Sequence, residues 1–323
     1  MSQFDFTVVG TAASVSVLKV NKMPVCGSST AVYEGSASDF KNGGMGFNIV
    51  SGLTKLGMRV YPVLTYADER QKSFLHNYAK DNGLPDDGIS DPPAGSSGTT
   101  IMIQDAEKNH MTLITGYAER LPNSPYFEAQ KMEKHFFDSQ YCILTAPLPK
   151  NTSSAIDAII DSGNPLVLSM RKDCNAFPHN LLWKALTNAE IIFANESEVE
   201  YILEDFSLKS VLDLFDFNKL HCFIETIGKD GAVILYKNQF NEIREEKVPA
   251  VEMEKPIADT VGAGDGFVCG FMYGIQKGAS IIDSAIMGTV VSSFILEKEG
   301  SIEGQPTESE LLDRYFRQKE SLK

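Results

Sequence analysis

The sequence predicts an α/β protein with a doubly wound, mostly parallel sheet flanked by helices and a small antiparallel β lid. Short runs of β-branched and aromatic residues alternate with longer helical patterns along most of the 323 residues. The strand patterns are almost entirely apolar, as expected of parallel strands that are buried on both faces. Two extended stretches interrupt this alternation, and we assign them to the lid.

The predicted buried strands are residues 4–10, 60–64, 141–145, 166–169, 191–194 and 222–226. Helical periodicity predicts helices at residues 46–56, 69–82, 152–161, 196–203, 208–215, 264–276, 279–296 and 307–323. Parallel neighbours that are joined through a helix require right-handed crossovers, so helices are expected on both faces of the sheet.

Two stretches, residues 15–40 and 99–116, are predicted to be extended and to form the lid. A polar turn divides the second stretch, and residues 92–98, rich in Pro, Gly and Ser, are a candidate hinge before it. The main domain then comprises residues 1–14, 41–98 and 117–323. The alternative is that both stretches are ordinary surface excursions.

Composition restricts the class of partner. The chain has 29 Lys and Arg against 43 Asp and Glu, a net charge of −14, which argues against nucleic acid or an anionic membrane as a partner. An anionic substrate is not excluded by this charge, because one local site can be positive inside an acidic protein. Five scattered cysteines without a C-x-x-C pair are typical of reduced thiols, and no apolar stretch is long enough to span a bilayer. We therefore expect a cytoplasmic protein.

The segment most informative about chemistry begins at Asp259 and leads through a glycine-rich turn into an apolar helical pattern. Free N–H groups at the start of such a helix bind anions, and the small residues Gly262, Ala263 and Gly264 let a phosphate approach the main chain. Asp265 would lie beside that anion and could accept a proton from an incoming hydroxyl. The alternative is that Asp265 caps the helix and Asp259 caps the preceding turn.

This segment, Asp259-Thr260-x-Gly262-Ala263-Gly264-Asp265, resembles the C-terminal signature of the ribokinase-like (PfkB) carbohydrate kinases. The N-terminal signature of that family is similar to Gly43-Gly44-x-x-x-Asn48. Further similar motifs follow in the family's order, namely Asp68-Glu69, Gly116-Tyr117-Ala118, Asn195-x-x-Glu198 and Thr226-x-Gly228-x-x-Gly231. The resemblance covers about residues 4–310.

The resemblance implies an ATP-dependent kinase that transfers the γ-phosphoryl group to a hydroxyl of a sugar or sugar-like alcohol. The implied site has Asp265 as general base, Gly262, Ala263 and Gly264 as anion hole, Thr226, Gly228 and Gly231 beside the nucleotide, and Gly43, Gly44 and Asn48 in the sugar pocket. Asn195 and Glu198 would act on Mg²⁺ through water, and Asp259 with the Val261 carbonyl would hold a monovalent cation such as K⁺. From the residues alone, Asn195 and Glu198 could instead form a capping box.

Departures from the family pattern bear on the acceptor. No carboxylate occurs in residues 11–16, where many sugar kinases place an aspartate, and Met45 and Phe47 follow Gly44. We therefore expect an unphosphorylated, partly apolar acceptor. Four residues that could add polar contacts are expected at the surface instead, namely Asp39, Asn42, Arg120 and Arg171.

Other functions remain open at this stage. A nucleoside kinase of the same family and a catalytically idle regulator that binds sugar or nucleotide are the alternatives. A dinucleotide-dependent enzyme is disfavoured because no G-x-G-x-x-G follows the first strand. The apolar lid edge is compatible with a homodimer formed through the lid.

Overall fold

The computed structural model describes residues 2–66, 69–90, 99–107, 109–114, 129–147, 149–217 and 219–321. Its strands are β1 (Phe4–Thr11), β2 (Ala13–Val20), β3 (Val32–Glu34), β4 (Lys41–Gly43), β5 (Val60–Thr65), β6 (Ile89–Ser90), β7 (Thr99–Gln104), β8 (His110–Ile114), β9 (Ser139–Leu144), β10 (Leu166–Ser169), β11 (Ala189–Asn195), β12 (Cys222–Thr226), β13 (Ala232–Lys237) and β14 (Ile243–Val248). Its helices are α1 (Met45–Lys55), α2 (Glu69–Asp81), α3 (Pro149–Ser162), α4 (His179–Asn188), α5 (Glu196–Asp205), α6 (Ala263–Gln276), α7 (Ile281–Leu296) and α8 (Glu308–Ser321).

The main sheet has nine strands in the order β14-β13-β12-β11-β10-β9-β1-β5-β6. The pairings from β6 to β12 are parallel, and β13 and β14 add an antiparallel hairpin at one edge. From β1 the chain first builds β5 and β6 on one side and later β9 to β12 on the other. The predicted doubly wound sheet is confirmed, and the reversal of strand order beside β1 is where such sheets bind ligands.

Helices cover both faces of the main sheet. One face packs against α1, α6, α7 and α8, and the other packs against α3, α4 and α5. Helices α6 and α7 lie unusually close because glycines face α7. A Cβ atom on Gly270 would lie 2.3 Å from the carbonyl oxygen of Met287. This close contact fixes α6, and with it the glycine-rich turn at its start.

A second, small sheet has the order β3-β2-β7-β8, with β4 paired to β2. The predicted small sheet is therefore present, but one of its pairings differs from the prediction. Strands β2 and β7 run parallel, with Ser14 opposite Thr99, whereas the other three pairings are antiparallel. The reason is that β2 follows β1 and β7 follows β6, and β1 and β6 run in the same direction in the main sheet.

Some predicted elements differ from the structure. The helix expected at residues 208–215 is a short 3₁₀ segment, Val211–Phe217. In its first turn Asp213 Oδ2 accepts from the backbone N–H of Lys209 at 2.8 Å. Helix α4 and the β13–β14 hairpin were not predicted. Asp68, the hinge candidate at 92–98, and the motif at 116–118 with Arg120 lie outside the described residues. None of the described helices has the length and apolar character needed to cross a bilayer.

Candidate active site

A cavity of about 490 Å³ lies at the carboxyl edge of the main sheet, beside the reversal of strand order. The ends of β1, β9, β10 and β11, the start of α6 and one face of the small sheet enclose it. The small sheet contributes the side chains of Val15, Val17, Thr100, Met102, Thr112 and Ile114. The cavity thus has an apolar wall on one side and the polar ends of strands on the other.

The start of α6 supplies a row of N–H groups to this cavity. Gly262 is the N-cap residue with a φ of 82°, a left-handed conformation that favours glycine, and its carbonyl accepts from Gly266 N–H at 2.9 Å. The N–H groups of the first helical turn have no preceding carbonyl to bind. A Cβ atom on Gly264 would meet no atom within 4 Å, so the cavity extends up to its main chain. This arrangement can bind an anion.

Asp265 lies at the third position of α6, deep among protein atoms yet still partly accessible from the cavity. Its Oδ2 accepts a hydrogen bond from Asn48 Nδ2 at 2.7 Å. Burial raises the pKa of Asp265 to about 6, against the opposing effects of the Asn48 hydrogen bond and the positive charge of Arg171. The alternative interpretation of Asp265 as the helix cap is wrong, because Gly262 occupies the cap position.

Asn48 is held in one orientation by its neighbours. Ser301 Oγ donates to Asn48 Oδ1 at 3.0 Å, which leaves Nδ2 to face Asp265. Gln305 Nε2 donates to the Asn48 carbonyl at 2.7 Å and fixes the backbone. Asn48 therefore positions Asp265, and its predicted contact with acceptor hydroxyls stays a prediction.

The two glycines before α1 occupy different places. Gly44 lines the cavity with a φ of 98°, and a Cβ atom there would lie 2.7 Å from the backbone nitrogen of Ala13. Gly43 is buried behind it, against Ser301 and Val15. Gly44 thus lines the cavity, whereas Gly43 packs behind it against β2, and the predicted contact of either glycine with the acceptor stays a prediction.

Asn195 and Glu198 form the capping box at the start of α5. Asn195 Oδ1 accepts from Glu198 N–H at 3.0 Å, and Glu198 Oε2 accepts from Asn195 N–H at 2.8 Å. Both residues also line the cavity. Burial raises the pKa of Glu198 to about 7, although backbone hydrogen bonds from Asn195 and Lys172 and the charge of Arg171 lower it. The two residues therefore form the capping box and line the cavity as well, and their predicted action on Mg²⁺ stays a prediction.

Asp259 is buried and accepts four hydrogen bonds. Its Oδ1 accepts from Gln104 Nε2 at 3.1 Å and from the N–H groups of Thr260 and Val261 at 2.7 and 3.2 Å. Its Oδ2 accepts from Gly300 N–H at 3.1 Å. Asp259 thus caps its turn, as the alternative interpretation held, and also joins strand β7 of the small sheet to the loop before α6.

The predicted nucleotide residues lie at the other end of the site. Thr226, at the end of β12, lines the cavity, whereas Gly228 and Gly231 belong to the turn that follows it. Gly231 has a φ of 96°, and a Cβ atom there would lie 2.0 Å from the Val248 carbonyl oxygen. The fold itself therefore requires Gly231, and its contact with nucleotide stays a prediction.

The structure changes the expected places of several other residues. Asn42 and Arg171, expected at the surface, line the cavity together with Lys41 and Ser301. Phe47, expected near the acceptor, is fully buried against Phe74 and Tyr78, whereas Met45 does line the cavity.. No sequence motif singles out Ser301 or Arg171, because each reaches the site through a loop.

A family model described as pfkB family carbohydrate kinase matches residues 8–308. The chain belongs to this family. Among curated relatives, a nucleoside kinase of Methanothermobacter thermautotrophicus is 22% identical over 317 residues, covering 97% of this chain and 96% of the relative. A ribokinase of Lactococcus lactis is 25% identical over 308 residues, covering 94% of this chain and 95% of the relative.

Solved structures show the same fold. A nucleoside kinase of Methanocaldococcus jannaschii superposes with a TM-score of 0.79 at 18% identity, covering 98% of this chain and 99% of the other. An Arabidopsis thaliana ribokinase complexed with ribose and ATP superposes with a TM-score of 0.76 at 18% identity, with the same coverage. The resemblance inferred from the sequence is confirmed: this protein is a pfkB family carbohydrate kinase.

Proposed function

We propose that this pfkB kinase transfers the γ-phosphoryl group of ATP to a hydroxyl of an unphosphorylated alcohol, with Asp265 as the general base. One observation carries the assignment. The Asp265 carboxyl, with a pKa raised to about 6, lies in the cavity directly beside the free N–H groups at the start of α6. A proton acceptor and a phosphoryl-binding group therefore occur at adjacent positions.

The chemistry follows from this arrangement. The acceptor oxygen attacks the γ-phosphorus, the bond to the β,γ-bridging oxygen breaks, and ADP leaves. Asp265 accepts the hydroxyl proton, which requires its carboxyl to be ionised at the start of the step. The N–H groups of Ala263, Gly264 and Asp265 bind the developing negative charge, where preorganised donors have their largest effect.

Nucleotide binding is assigned to the end of the site at β12, with Thr226, Gly228 and Gly231. Asn195 and Glu198 fit an indirect contact with Mg²⁺. Their oxygens already accept the capping hydrogen bonds, and the buried Glu198 carboxyl with its raised pKa would gain from a nearby cation. Bound Mg²⁺ would supply charge neutralisation for the phosphates.

A monovalent cation such as K⁺ at Asp259 and the Val261 carbonyl stays a proposal. The four N–H donors satisfy most of the Asp259 carboxylate without a cation, and Oδ2 keeps room for one further contact. Among the described residues no group of three or more His, Cys, Asp or Glu side chains is arranged to hold a metal ion. Any cation there would thus depend on backbone carbonyls.

The acceptor is assigned to the apolar end of the cavity. Ala12 and Ala13 follow β1 where a carboxylate could have bound two hydroxyls, and Met45 and the inward face of the small sheet complete the wall. Such a wall favours an acceptor with an uncharged, partly apolar part, such as a nucleoside or a deoxy sugar, over a sugar phosphate.

The test is an ADP-release screen with ATP against pentoses, hexoses, sugar acids, polyols and nucleosides. With the best acceptor, Asp265→Asn should lower kcat by about 10²- to 10⁴-fold, because general-base catalysis is lost. The new amide oxygen can still accept from Asn48, so ATP binding should persist. Asp157→Asn, on the exposed side of α3, is the matched control and should retain full turnover.

Two results would contradict the proposal. Near wild-type turnover in Asp265→Asn would remove the general base from the assignment. Binding of an acceptor without any ADP release in the whole panel would favour the idle regulator. We also place the enzyme in the cytoplasm, which is supported by its use of ATP and by five unpaired cysteines.

A further inference from the structure

Arg171 is a cationic group in the cavity that no motif assigns. It follows strand β10 and lies half-buried in the cavity wall. Arg171, Asp265 and Glu198 line the same cavity, and the positive charge of Arg171 lowers the pKa of both carboxyl groups. Among the described residues, no hydrogen bond or ion pair within 4 Å engages its guanidinium group.

The position of β10 in the sheet indicates which ligand Arg171 meets. β10 lies between β9, which neighbours β1 at the acceptor end, and β11, which carries Asn195 and neighbours β12 at the nucleotide end. Arg171 therefore lies at the boundary of the two subsites. At that boundary the γ-phosphoryl group must pass from ADP to the acceptor oxygen.

Carboxylates outnumber cations in the cavity lining, which is unfavourable for ATP. Besides Arg171, Lys41 is the other cation among the lining residues, against Asp173, Glu198, Asp259 and Asp265, and the whole chain carries a net charge of −14. The N–H groups of α6 contribute only partial positive charge, whereas a triphosphate carries several negative charges. An unpaired guanidinium offers a full charge and a planar pair of donors that match two phosphate oxygens.

We propose that Arg171 is a catalytic residue that donates to the γ-phosphoryl oxygens of ATP as the group passes to the acceptor. This inference rests on the proposed function and deepens it. Arg171 and the α6 N-terminus would hold the phosphoryl group from two sides, with Asp265 beside the attacking oxygen. Charge that spreads over the phosphoryl oxygens in the transition state would then meet a fixed cation.

The test compares Arg171→Met, Arg171→Lys and Lys172→Met. Lys172 is a matched control: it is the next residue, it carries the same charge, its ammonium lies over the Tyr201 ring, and its side chain does not line the cavity. Calorimetry measures affinity for the β,γ-imido analogue of ATP, for ADP and for adenosine, and steady-state kinetics gives kcat and KM with the best acceptor.

Arg171→Met should lower kcat by about 100-fold or more, as for the loss of one preorganised transition-state donor. Its affinity for the ATP analogue should fall about tenfold or more, by a larger factor than for ADP, with adenosine affinity unchanged. Arg171→Lys should give intermediate values of kcat and analogue affinity, because it keeps the positive charge and loses the planar pair of donors. Lys172→Met should match the wild type in every measurement.

Other outcomes overturn the inference. If both Arg171 variants have the kcat and the ATP-analogue affinity of the wild type, the inference is wrong. If Arg171→Met fails to fold, Arg171→Lys still decides the test. A raised acceptor KM with unchanged analogue affinity would assign Arg171 to the acceptor instead. Failure of the wild type itself to bind the ATP analogue would contradict the proposed function, which separates the two failures.

Discussion

At the scale of single residues, Asp265, the proposed base, shows how burial and neighbouring groups set the pKa of a carboxyl group. Burial disfavours its charge, whereas the Asn48 hydrogen bond and Arg171 favour it, and the balance leaves a pKa of about 6. A carboxylate with its usual pKa would be a weaker proton acceptor. One with a much higher pKa would be protonated at neutral pH and unable to act.

This balance predicts the pH dependence of the reaction. Asp265 must be ionised to accept a proton, so kcat/KM for the acceptor should rise with pH through about 6 and level off above it. The measurement is a pH profile of kcat/KM between pH 4.5 and 9 at saturating ATP, with thermal unfolding recorded at each pH as a control. A flat profile from pH 5 to pH 8 in stably folded enzyme would contradict the role of Asp265.

Glu198 gives a second prediction, on stability. Burial raises its pKa in the folded state to about 7 from the usual 4.5, so the folded state binds the proton more tightly. The associated stability is fully present below about pH 4.5 and is lost as pH rises through about 7. Glu198→Gln keeps an oxygen for the capping box and removes the charge. The Tm of Glu198→Gln minus the Tm of the wild type, measured by calorimetry with a chelator present, should therefore be larger at pH 8 than at pH 5. An equal difference at both pH values would contradict this.

The glycines at the start of α6 give a third prediction. Gly264→Ala places a methyl group in open cavity within a helix, where alanine is favoured over glycine by about 1 kcal/mol. Its Tm should equal or exceed that of the wild type, while kcat should fall at least about tenfold because the methyl group stands where the phosphoryl group binds. Gly262→Ala is the contrast: its φ of 82° and a Cβ only 2.8 Å from Ser301 Cβ should lower the Tm. Full activity in Gly264→Ala would show that this glycine has no role in binding phosphoryl.

The sequence predicts the local part of the site well and its long-range part poorly. The turn before α6 and the Asn195–Glu198 pair are contiguous motifs whose function depends on neighbouring backbone. Asn48 contacts Asp265, Ser301 contacts Asn48, and Arg171 lines the same cavity, each from a segment far away in the chain. No spacing rule predicts this arrangement. Arg171 was expected at the surface and lines the cavity instead, because its place in the site depends on the fold and not on a local motif.

At the scale of elements, apolar strands were predictable because burial on both faces leaves a continuous apolar run. The edge strand β14, with the sequence IREEKV, is almost wholly exposed and carries no such signal. Helix α4 also escaped prediction, because it begins after Pro178 without a side-chain cap. β14 and α4 were thus missed because they carry little local signal, whereas β13, an inner strand with the apolar sequence AVILYK, was missed although it carries one.

The small sheet gives a fourth prediction, since its role as a lid is still a proposal. One face of β2, β7 and β8 lines the cavity, and Gln104 of β7 binds Asp259 next to α6. If this sheet closes over the acceptor, hydrogen exchange in β2, β7 and β8 should slow when the acceptor binds. ATP alone should protect mainly the segment from Thr226 to Gly231. Equal exchange in β2, β7 and β8 with and without acceptor would show that the sheet is a fixed wall.

At the scale of the whole molecule, the strand order explains why separate motifs share one cavity. Every parallel strand of the main sheet ends at the same edge, so the turns after β1, β9, β10, β11 and β12 converge there. The sequence predicts this convergence once the strands are assigned. The parallel pairing of β2 with β7 was missed because it depends on the edge of the main sheet at which the preceding strands, β1 and β6, end.

The last prediction concerns assembly: two chains are expected to form a homodimer through the small sheet. Strand β8 alternates: Thr112 and Ile114 line the cavity, whereas Met111 and Leu113 are 45% and 48% exposed on the other face. Since a contiguous exposed apolar face favours association, light scattering should give twice the chain mass of 35.5 kDa. The double substitution Met111→Glu and Leu113→Glu should give the monomer mass, because it places charges at the centre of this face. Phe240→Glu, at the exposed turn between β13 and β14, should leave the mass unchanged. A wild-type mass of one chain at micromolar concentration would contradict the dimer.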